Sequence, residues 1–191
     1  DFEDANPSYV SNTFGGTLAL TGDSTTVVTS GNLNLGSVNN TGAMSLRAPV
    51  GSIDLGTAFI TGGDLTLVSR DDMNLGGANI SGDLHMTSTA GNVSFGSATV
   101  AGDLTAVTQG GVVDLGNALV GGNLDVQTQG GNIVQSGTSG ASLSVSGTSN
   151  LNAGTGNISL LATGAMALAT TGTASTSAGT IDLSSAATVS M

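Results

Sequence analysis

Acidic side chains recur at nearly fixed intervals along the chain. Asp64, Asp83 and Asp103 each follow a glycine at a spacing of about 20 residues, and Asn123 continues the series. A column of carboxylates supplies the hard oxygen ligands that Ca²⁺ takes, so these three aspartates are calcium candidates. Alternatively, each aspartate accepts hydrogen bonds from the amides of its own turn. The second interpretation is favoured because the glycine- and aspartate-rich nonapeptide of calcium-binding β-rolls is absent, and no cofactor is predicted.

Catalytic chemistry finds little support in the sequence. His85, within GDLHM, is the only histidine, and the chain contains no cysteine. A nucleophilic triad therefore lacks its partners, and a solvated histidine is predicted. A polysaccharide-cleaving enzyme would need a groove built by long loops, for which rows of fixed length leave no room. We predict that the chain is not an enzyme and has no catalytic residues.

The charge balance restricts the partners. Thirteen acidic residues against two arginines give a formal net charge of -11. Such a chain lacks the cationic surface that gathers phosphates, so neither nucleic acid nor an anionic membrane is expected as a partner. No apolar stretch approaches the roughly 20 residues that span a bilayer, so membrane insertion is not predicted. The start at Asp1 and the scarcity of Lys and Arg lead us to expect an exported, extracellular protein.

The elements that carry these side chains are set by an internal repeat. Glycine-rich starts recur with a period of about 20 residues, at Gly31, Gly51, Asp71, Gly91, Gly111 and Gly131. Within each row, apolar residues alternate with polar ones, which indicates strands with one buried face. Repeated strands in constant register predict an all-β fold, a single-stranded parallel β-helix with three short strands per coil of about 20 residues. About nine coils, spaced by about 4.8 Å, would form a rod roughly 43 Å long.

Stacking the rows assigns an inward or outward direction to each position. In the first strand the inward pairs are Leu33/Leu35, Ile53/Leu55, Met73/Leu75, Val93/Phe95 and Val113/Leu115. In the second they are Ala58/Ile60, Ala78/Ile80, Ala98/Val100 and Ala118/Val120, and in the third Leu65/Leu67, Leu84/Met86, Leu104/Ala106 and Leu124/Val126. The second strand then directs Phe59 and Leu119 outward, where we predict a lateral contact.

The regular rows divide the chain into three segments. Residues 1–14 fit no row and are predicted to form an N-terminal cap or connecting arm, and residues 15–136 form the regular coils. Residues 137–191 carry one charged side chain, Asp182, and are predicted to form less regular coils that end in an exposed sheet edge. Docking of this edge on another subunit's first coil or arm would use the following predicted assembly residues: Phe2, Tyr9, Val10, Phe14, Ile181, Leu183 and Val189.

The row GGDLTLVSRDDMNLGGANISGDLHM, residues 62–86, resembles the haemagglutinin repeats of filamentous haemagglutinin-like exoproteins. These are large secreted adhesins of two-partner secretion systems, and the resemblance covers residues 31–135 best. It implies a right-handed β-helix on the bacterial surface that serves adhesion, aggregation or biofilm formation. A recognisable N-terminal secretion domain is not found.

Three functional hypotheses follow. The first is a structural subunit of an extracellular bacterial surface fibre or matrix, a homopolymer assembled head to tail through the β-helix ends. The second is a segment of a larger secreted adhesin that binds a surface glycan or a host protein. The third is a polysaccharide-active β-helix enzyme, which the residues favour least.

Overall fold

The computed structural model of the protein describes residues 18–57, 59–136, 142–162, 166–167, 172–185 and 189–190. These residues form strands and turns without a helix. In chain order the strands are β1 (Leu18–Gly22), β2 (Thr25–Val28), β3 (Leu33–Asn40), β4 (Met44–Ala48), β5 (Ile53–Asp54), β6 (Phe59–Thr61), β7 (Leu65–Ser69), β8 (Met73–Asn74), β9 (Asn79–Ile80), β10 (Leu84–Ser88), β11 (Val93–Ser94), β12 (Thr99–Val100), β13 (Leu104–Thr108), β14 (Val113–Asp114), β15 (Leu119–Val120), β16 (Leu124–Thr128), β17 (Ile133–Gln135), β18 (Leu143–Val145), β19 (Ser149–Asn152), β20 (Ile158–Ala162), β21 (Met166–Ala167), β22 (Gly172–Ser175), β23 (Ile181–Ser185) and β24 (Val189–Ser190).

The strands stack into a parallel β-solenoid with three faces. Face A is an eight-stranded sheet, β2-β4-β7-β10-β13-β16-β19-β22. Face B contains β1, the second half of β3, then β6-β9-β12-β15-β18-β21-β24, and face C contains the first half of β3, then β5-β8-β11-β14-β17-β20-β23. Each coil runs from face C through face B to face A. The predicted all-β parallel β-helix is confirmed, with about eight turns where about nine were predicted. The right-handedness that the resemblance implies stays a prediction.

Glycine forms the corner between faces C and B. Gly56, Gly76, Gly96 and Gly116 have φ angles between +48° and +67°, which side chains with a Cβ rarely adopt. A Cβ on Gly96 would also meet the carbonyl oxygen of Gly76 in the coil below. The coil that contains Gly36 has no such corner, because β3 continues unbroken from one face to the next. Both the conformation and the close approach of stacked coils therefore require glycine at this corner.

The core consists of the predicted inward columns. All predicted pairs of the first and third strands are buried, as are the second-strand pairs from Ala78/Ile80 onward. Equivalent residues lie on top of one another in adjacent coils, for example Leu84 against Leu65 on one side and Leu104 on the other. Alternation with period two places the intervening residues on the outer surface. The solenoid therefore has one continuous apolar interior.

The second strand of one coil differs from the prediction. Phe59 is fully buried and Ile60 is 49% exposed, so the predicted inward position of Ile60 and outward position of Phe59 are both wrong. Ala58, the other predicted inward residue, lies outside the described residues. The cause is one extra residue in this coil, because the stretch from the Gly56 corner to β7 is longer by one than the equivalent stretch of the next coil. A one-residue shift reverses every side chain of a strand, and it makes Phe59 a core residue.

Coil length increases toward the C-terminus. Between β10 and β16 the step from one strand to its partner in the next coil is constant, whereas Ile133 pairs with Ile158 and Ile158 with Ile181, which are longer steps. Faces A and B lengthen in the same way, from Leu124 to Ser149 and from Leu119 to Ser144. The longer coils therefore keep the three faces in register. The predicted division at residues 14 and 136 into separate segments stays a prediction.

Candidate functional site

The calcium candidates lie in one column at the corner between faces B and A, which we call ladder 1 (Asp64, Asp83, Asp103 and Asn123). Each side chain accepts a hydrogen bond through Oδ1 from the backbone N–H of the equivalent residue in the next coil. The N–H groups of Asp83, Asp103 and Asn123 donate at 2.9, 2.8 and 2.7 Å, and that of Thr148 donates to Asn123 at 2.8 Å. The carboxylates therefore connect consecutive coils.

These contacts correct the prediction that each ladder 1 aspartate binds amides of its own turn. Stacked coils place the equivalent backbone amide about 4.8 Å away, within reach of a side chain that leans along the solenoid axis. The preceding glycine is needed for this approach: a Cβ on Gly102 would meet both the Asp83 side chain and the backbone of Gly82. The Gly-Asp pair is thus a stacking motif.

Binding within one turn occurs in a different column, on face C. Asp54 and Asp114 accept hydrogen bonds through Oδ1 from the N–H groups of Gly56 and Gly116, at 2.9 and 3.0 Å. Each donor is the left-handed corner glycine two residues later. Own-turn bonds are therefore present at Asp54 and Asp114 and orient the corner between faces C and B. Asp114 also accepts through Oδ1 from the N–H of Ser136 in the next coil, at 2.8 Å.

A second set of stacking acceptors lies at the corner between faces A and C and was not predicted. We call it ladder 2 (Asn32, Asp72, Asn92, Asn132 and Asn157). Its members accept from the N–H groups of Ser52, Asn92, Val112, Asn157 and Thr180, at 2.7 to 3.1 Å. Most of its members follow a glycine, as in ladder 1, so the repeated Gly-Asn pair was a signal that could have revealed it.

A third polar column lies inside the solenoid, at the end of each face A strand. Ser69, Ser88, Thr108 and Thr128 are buried, and their hydroxyls donate to backbone carbonyls two or three residues ahead. Ser88 also accepts from the N–H of Gly91 at 3.0 Å. Because each hydroxyl has a backbone hydrogen-bond partner, these polar groups are stable inside the apolar interior. The repeat predicted only two inward positions in each strand of face A, both apolar, and did not reveal this third inward position, which is polar.

The geometry of ladder 1 defines what it offers a cation. Within the part of the chain that the structure describes, no three His, Cys, Asp or Glu residues are grouped closely enough to hold a metal ion. Along the ladder, one carboxylate follows another at the coil spacing, and one oxygen of each is engaged by an amide. Like charges at this separation repel, so soluble cations stabilise the column by screening. Specific calcium binding at Asp64, Asp83 and Asp103 stays a prediction.

His85 is exposed on face A, as predicted. It lies in an outward column between Thr66 and Thr105, with Asp125 one strand further along. The Asp125 carboxylate accepts from the side-chain amides of Gln127 and Asn150. The outer surface of face A around His85 and Asp125 is thus rich in hydrogen-bonding side chains.

The predicted assembly and lateral residues divide into three groups. Phe2, Tyr9, Val10 and Phe14 lie outside the described residues, and so does the side chain of Val189. Ile181 lies over buried Ile158, yet it is 46% exposed, and Leu183 is partly buried. On face B, Leu119 is 47% exposed as predicted, but its apolar companion in the outward column is Ile60 rather than Phe59.

A known family of repeats matches a large part of the chain. The model of a family described as repeats of unknown function (DUF5649) matches residues 62–119 and 103–166, which together span more than half of the chain. The chain belongs to this family. The DUF5649 matches begin at the Gly62 corner and include Asp64, Asp83 and Asp103 of ladder 1.

The other comparisons do not extend this assignment. No curated protein and no solved structure matches the chain. Because the DUF5649 description carries no function, the resemblance to haemagglutinin-repeat adhesins stays a prediction. Among the described residues, no helix has the length and apolar character needed to cross a membrane.

Proposed function

We propose that the chain is a structural subunit of an extracellular bacterial surface fibre or matrix, in which solenoids join end to end. The observation that carries this proposal is the solvent exposure of the Ile181 side chain. Its side chain belongs to the inward column above Ile158, which is fully buried, yet 46% of Ile181 is accessible. An inward-facing apolar side chain at the top of a stack gains contacts when another coil covers it.

The backbone of the same coil supports the proposal. Among the described residues, β22, β23 and β24 each pair with a strand on one side only. Strands of this kind present a row of N–H and C=O groups to any chain that can continue the sheet. Three such rows, one per face, together with an apolar centre, form a surface that a first coil of matching shape can extend. A contact between unlike ends does not close, and it generates a filament.

The use of the polar side chains also favours a structural role. The members of ladder 1 and ladder 2 bind backbone amides of neighbouring coils, and the buried hydroxyls bind carbonyls of their own turns. These polar groups therefore hold the rod together. Extracellular localisation and the link to haemagglutinin-like proteins belong to the same proposal and are supported by the sequence resemblance and the scarcity of Lys and Arg.

Assembly can be tested by electron microscopy and light scattering of the purified chain. We expect unbranched filaments whose number grows with concentration, whereas a monomer that persists at high concentration would contradict the proposal. Ile181→Lys should prevent filament growth, because a charge would be buried at the junction. Leu161→Lys is the matched control: Leu161 is 49% exposed but points outward from the neighbouring strand β20. Filaments that form equally well from both variants would exclude Ile181 from the junction.

A deletion tests the proposed connecting arm. If residues 1–14 dock on the C-terminal coil of the next subunit, a chain that lacks them should remain monomeric while its far-ultraviolet circular dichroism is unchanged. Filaments of normal length from the truncated chain would assign the junction to the coils alone.

A second candidate function is binding of a surface glycan or host protein by face A. The observation in its favour is the set of outward side chains around His85 and Asp125, since hydroxyl, amide and carboxylate groups can hydrogen-bond the hydroxyls of sugars. A glycan array probed with the wild-type chain and with a His85→Ala, Asp125→Ala double variant tests it. Signals that are equal for the two chains would remove face A from consideration.

A further inference from the structure

Face B differs from the other two faces in charge. Its described segments contain no Asp, Glu, Lys, Arg or His: residues 18–22, 36–41, 56–57, 59–62, 76–81, 96–101, 116–121, 142–146, 166–167 and 189–190. The acidic residues of the described coils lie on faces A and C and at the corners, in a chain with a net charge of -11. Two copies of this chain repel each other along most approaches, and face B is the surface on which that repulsion is weakest.

The outward side chains of face B are small or polar, with two exceptions. Gly77, Ser81, Ala101 and Gly121 project little from the sheet, whereas Ile60 and Leu119 are about half exposed. Both aliphatic side chains belong to one outward column, which the register gives as Ile60, Asn79, Thr99, Leu119. The two aliphatic positions are three coils apart, or roughly 14 Å at about 4.8 Å per coil.

This column reads the same in both directions: aliphatic, polar, polar, aliphatic. A two-fold axis that lies in the interface, parallel to the strands and midway between the strands of Asn79 and Thr99, would turn a second copy to face this sheet in the inverted direction and lay its Leu119 over Ile60. The same operation lays its Ile60 over Leu119, which is the self-complementary pairing that an isologous dimer requires. A parallel pairing in register would instead stack Ile60 on Ile60.

We propose that face B is a lateral docking surface for a second, antiparallel copy of this chain. The contact is distinct from the end-to-end junction, and it would bundle rods side by side. Six coils overlap around the axis, and segments of about six residues at about 3.3 Å each give an interface of roughly 1,100 Å² in total. This area is close to the lower limit of specific interfaces, so the pair is reversible.

Engineered cysteines test the geometry, because the natural chain contains none. Ile60→Cys and Leu119→Cys are prepared separately in the Ile181→Lys background, so that end-to-end growth is blocked, then mixed and treated with a short bismaleimide, because facing sheets pack about 10 Å apart and a direct disulfide needs Cα atoms within about 7 Å. Antiparallel pairing predicts cross-linked dimers in the mixture, at least tenfold more than in either variant alone, since identical cysteines would be displaced by roughly a further 14 Å along the solenoid axis. Val50→Cys, which is equally exposed but lies outside face B, is the control.

The outcomes are distinguishable. Mixed dimers confirm the two-fold contact, while dimers that form equally within a single variant indicate parallel pairing and overturn it. Cross-linking no greater than that of Val50→Cys shows that another occupant, or solvent, covers face B and also overturns the proposal. Sedimentation gives a second measurement. Leu119→Glu should raise the dimer dissociation constant by about tenfold or more. Added salt should lower the dimer dissociation constant of the chain without this substitution, because salt screens the acidic residues that border face B. Circular dichroism checks that each variant folds.

Discussion

The coils between β7 and β17 and the coils from β18 onward are built on the same three faces but differ in what they place inside. On face A the first inward column runs Leu65, Leu84, Leu104 and Leu124, and then continues with Ser149 and Gly172. The repeat lengthens at the same point, between Leu124 and Ser149. The backbone register is retained while the apolar volume in the column falls.

This difference shows that the pairing of strands and the filling of the core are separable properties of a solenoid. Each coil contacts only its neighbours, so stability is approximately a sum of local terms. Where the columns contain leucine, the stacking of each pair of coils is strongly favourable, and where they contain serine or glycine it is weaker. We therefore expect the solenoid to open first from its C-terminal coils.

The largest predicted effect compares a leucine in each region. Leu104→Ala removes a fully packed side chain between Leu84 and Leu124, and should lower the free energy of unfolding by about 4 kcal/mol. Leu151 lies between Val126 and Ala174, whose side chains are smaller than leucine. Leu151→Ala therefore loses fewer contacts and should lower the free energy of unfolding by about 2 kcal/mol. Urea denaturation followed by circular dichroism measures both.

Hydrogen exchange provides the accompanying control. Leu151→Ala should increase exchange only in β18 to β23, whereas Leu104→Ala should increase it in the regular coils on both sides. Equal costs and the same exchange pattern in the two variants would contradict the proposed difference between the regions.

The sequence was sufficient to predict the fold because the repeat states the same pattern several times. The inward pairs of β5, β8, β11 and β14 were all identified, since a period of two with constant spacing leaves one buried face. The coil that contains Phe59 was the exception. One added residue does not change the kind of residue seen when the rows are aligned, so the sequence does not reveal it. The pairing of Thr61 with Ile80 in the structure fixes the register of this coil.

The polar contacts were harder to predict than the core. A Gly-Asp pair is compatible with a bond to its own turn or to the next coil, and the choice depends on the coil spacing rather than on residue type. Asp54 and Asp83 show the two outcomes in one chain. The buried Ser88 hydroxyl could not be inferred from hydrophobicity at all, because its bonds to Gly91 depend on the backbone of the turn.

An intermediate effect is expected from ladder 1, where the regular coils use carboxylates. Asp83→Ala leaves the amide of Asp103 without its acceptor and should cost about 1 kcal/mol. Asp83→Asn keeps an acceptor and removes the repulsion from Asp64 and Asp103, so it should stabilise the chain by a few tenths of a kcal/mol at low salt. The gain should vanish at about 1 M salt.

Ladder 2 supplies the matched comparison in the later coils. Asn157 accepts from the amide of Thr180 without a charge, so the cost of Asn157→Ala should be independent of salt. Thermal unfolding at low and high salt measures all three variants. A salt dependence for Asn157→Ala, or its absence for Asp83→Asn, would show that charge does not distinguish the Asp83 and Asn157 positions.

The smallest predicted effect concerns two buried serines and has opposite signs in the two regions. Ser88→Ala removes the contacts with Gly91 and should cost about 1 kcal/mol. The Ser149 hydroxyl is buried without a hydrogen-bond partner, so Ser149→Ala should be neutral or stabilising by less than about 1 kcal/mol. Denaturant midpoints of the two variants provide the measurement. Destabilisation by Ser149→Ala as large as that by Ser88→Ala would refute the contrast.

The direction of the bonds in ladder 1 and ladder 2 has a consequence for how the chain acquires its shape. Every donor in these columns belongs to the coil that comes later in the chain, and every acceptor belongs to the coil before it. A folded coil thus presents acceptor oxygen atoms at two corners to the next segment of the chain before that segment folds. A chain that leaves a ribosome or a membrane pore with its N-terminus first would therefore find a template at each step, and it could fold coil by coil before its C-terminus emerges.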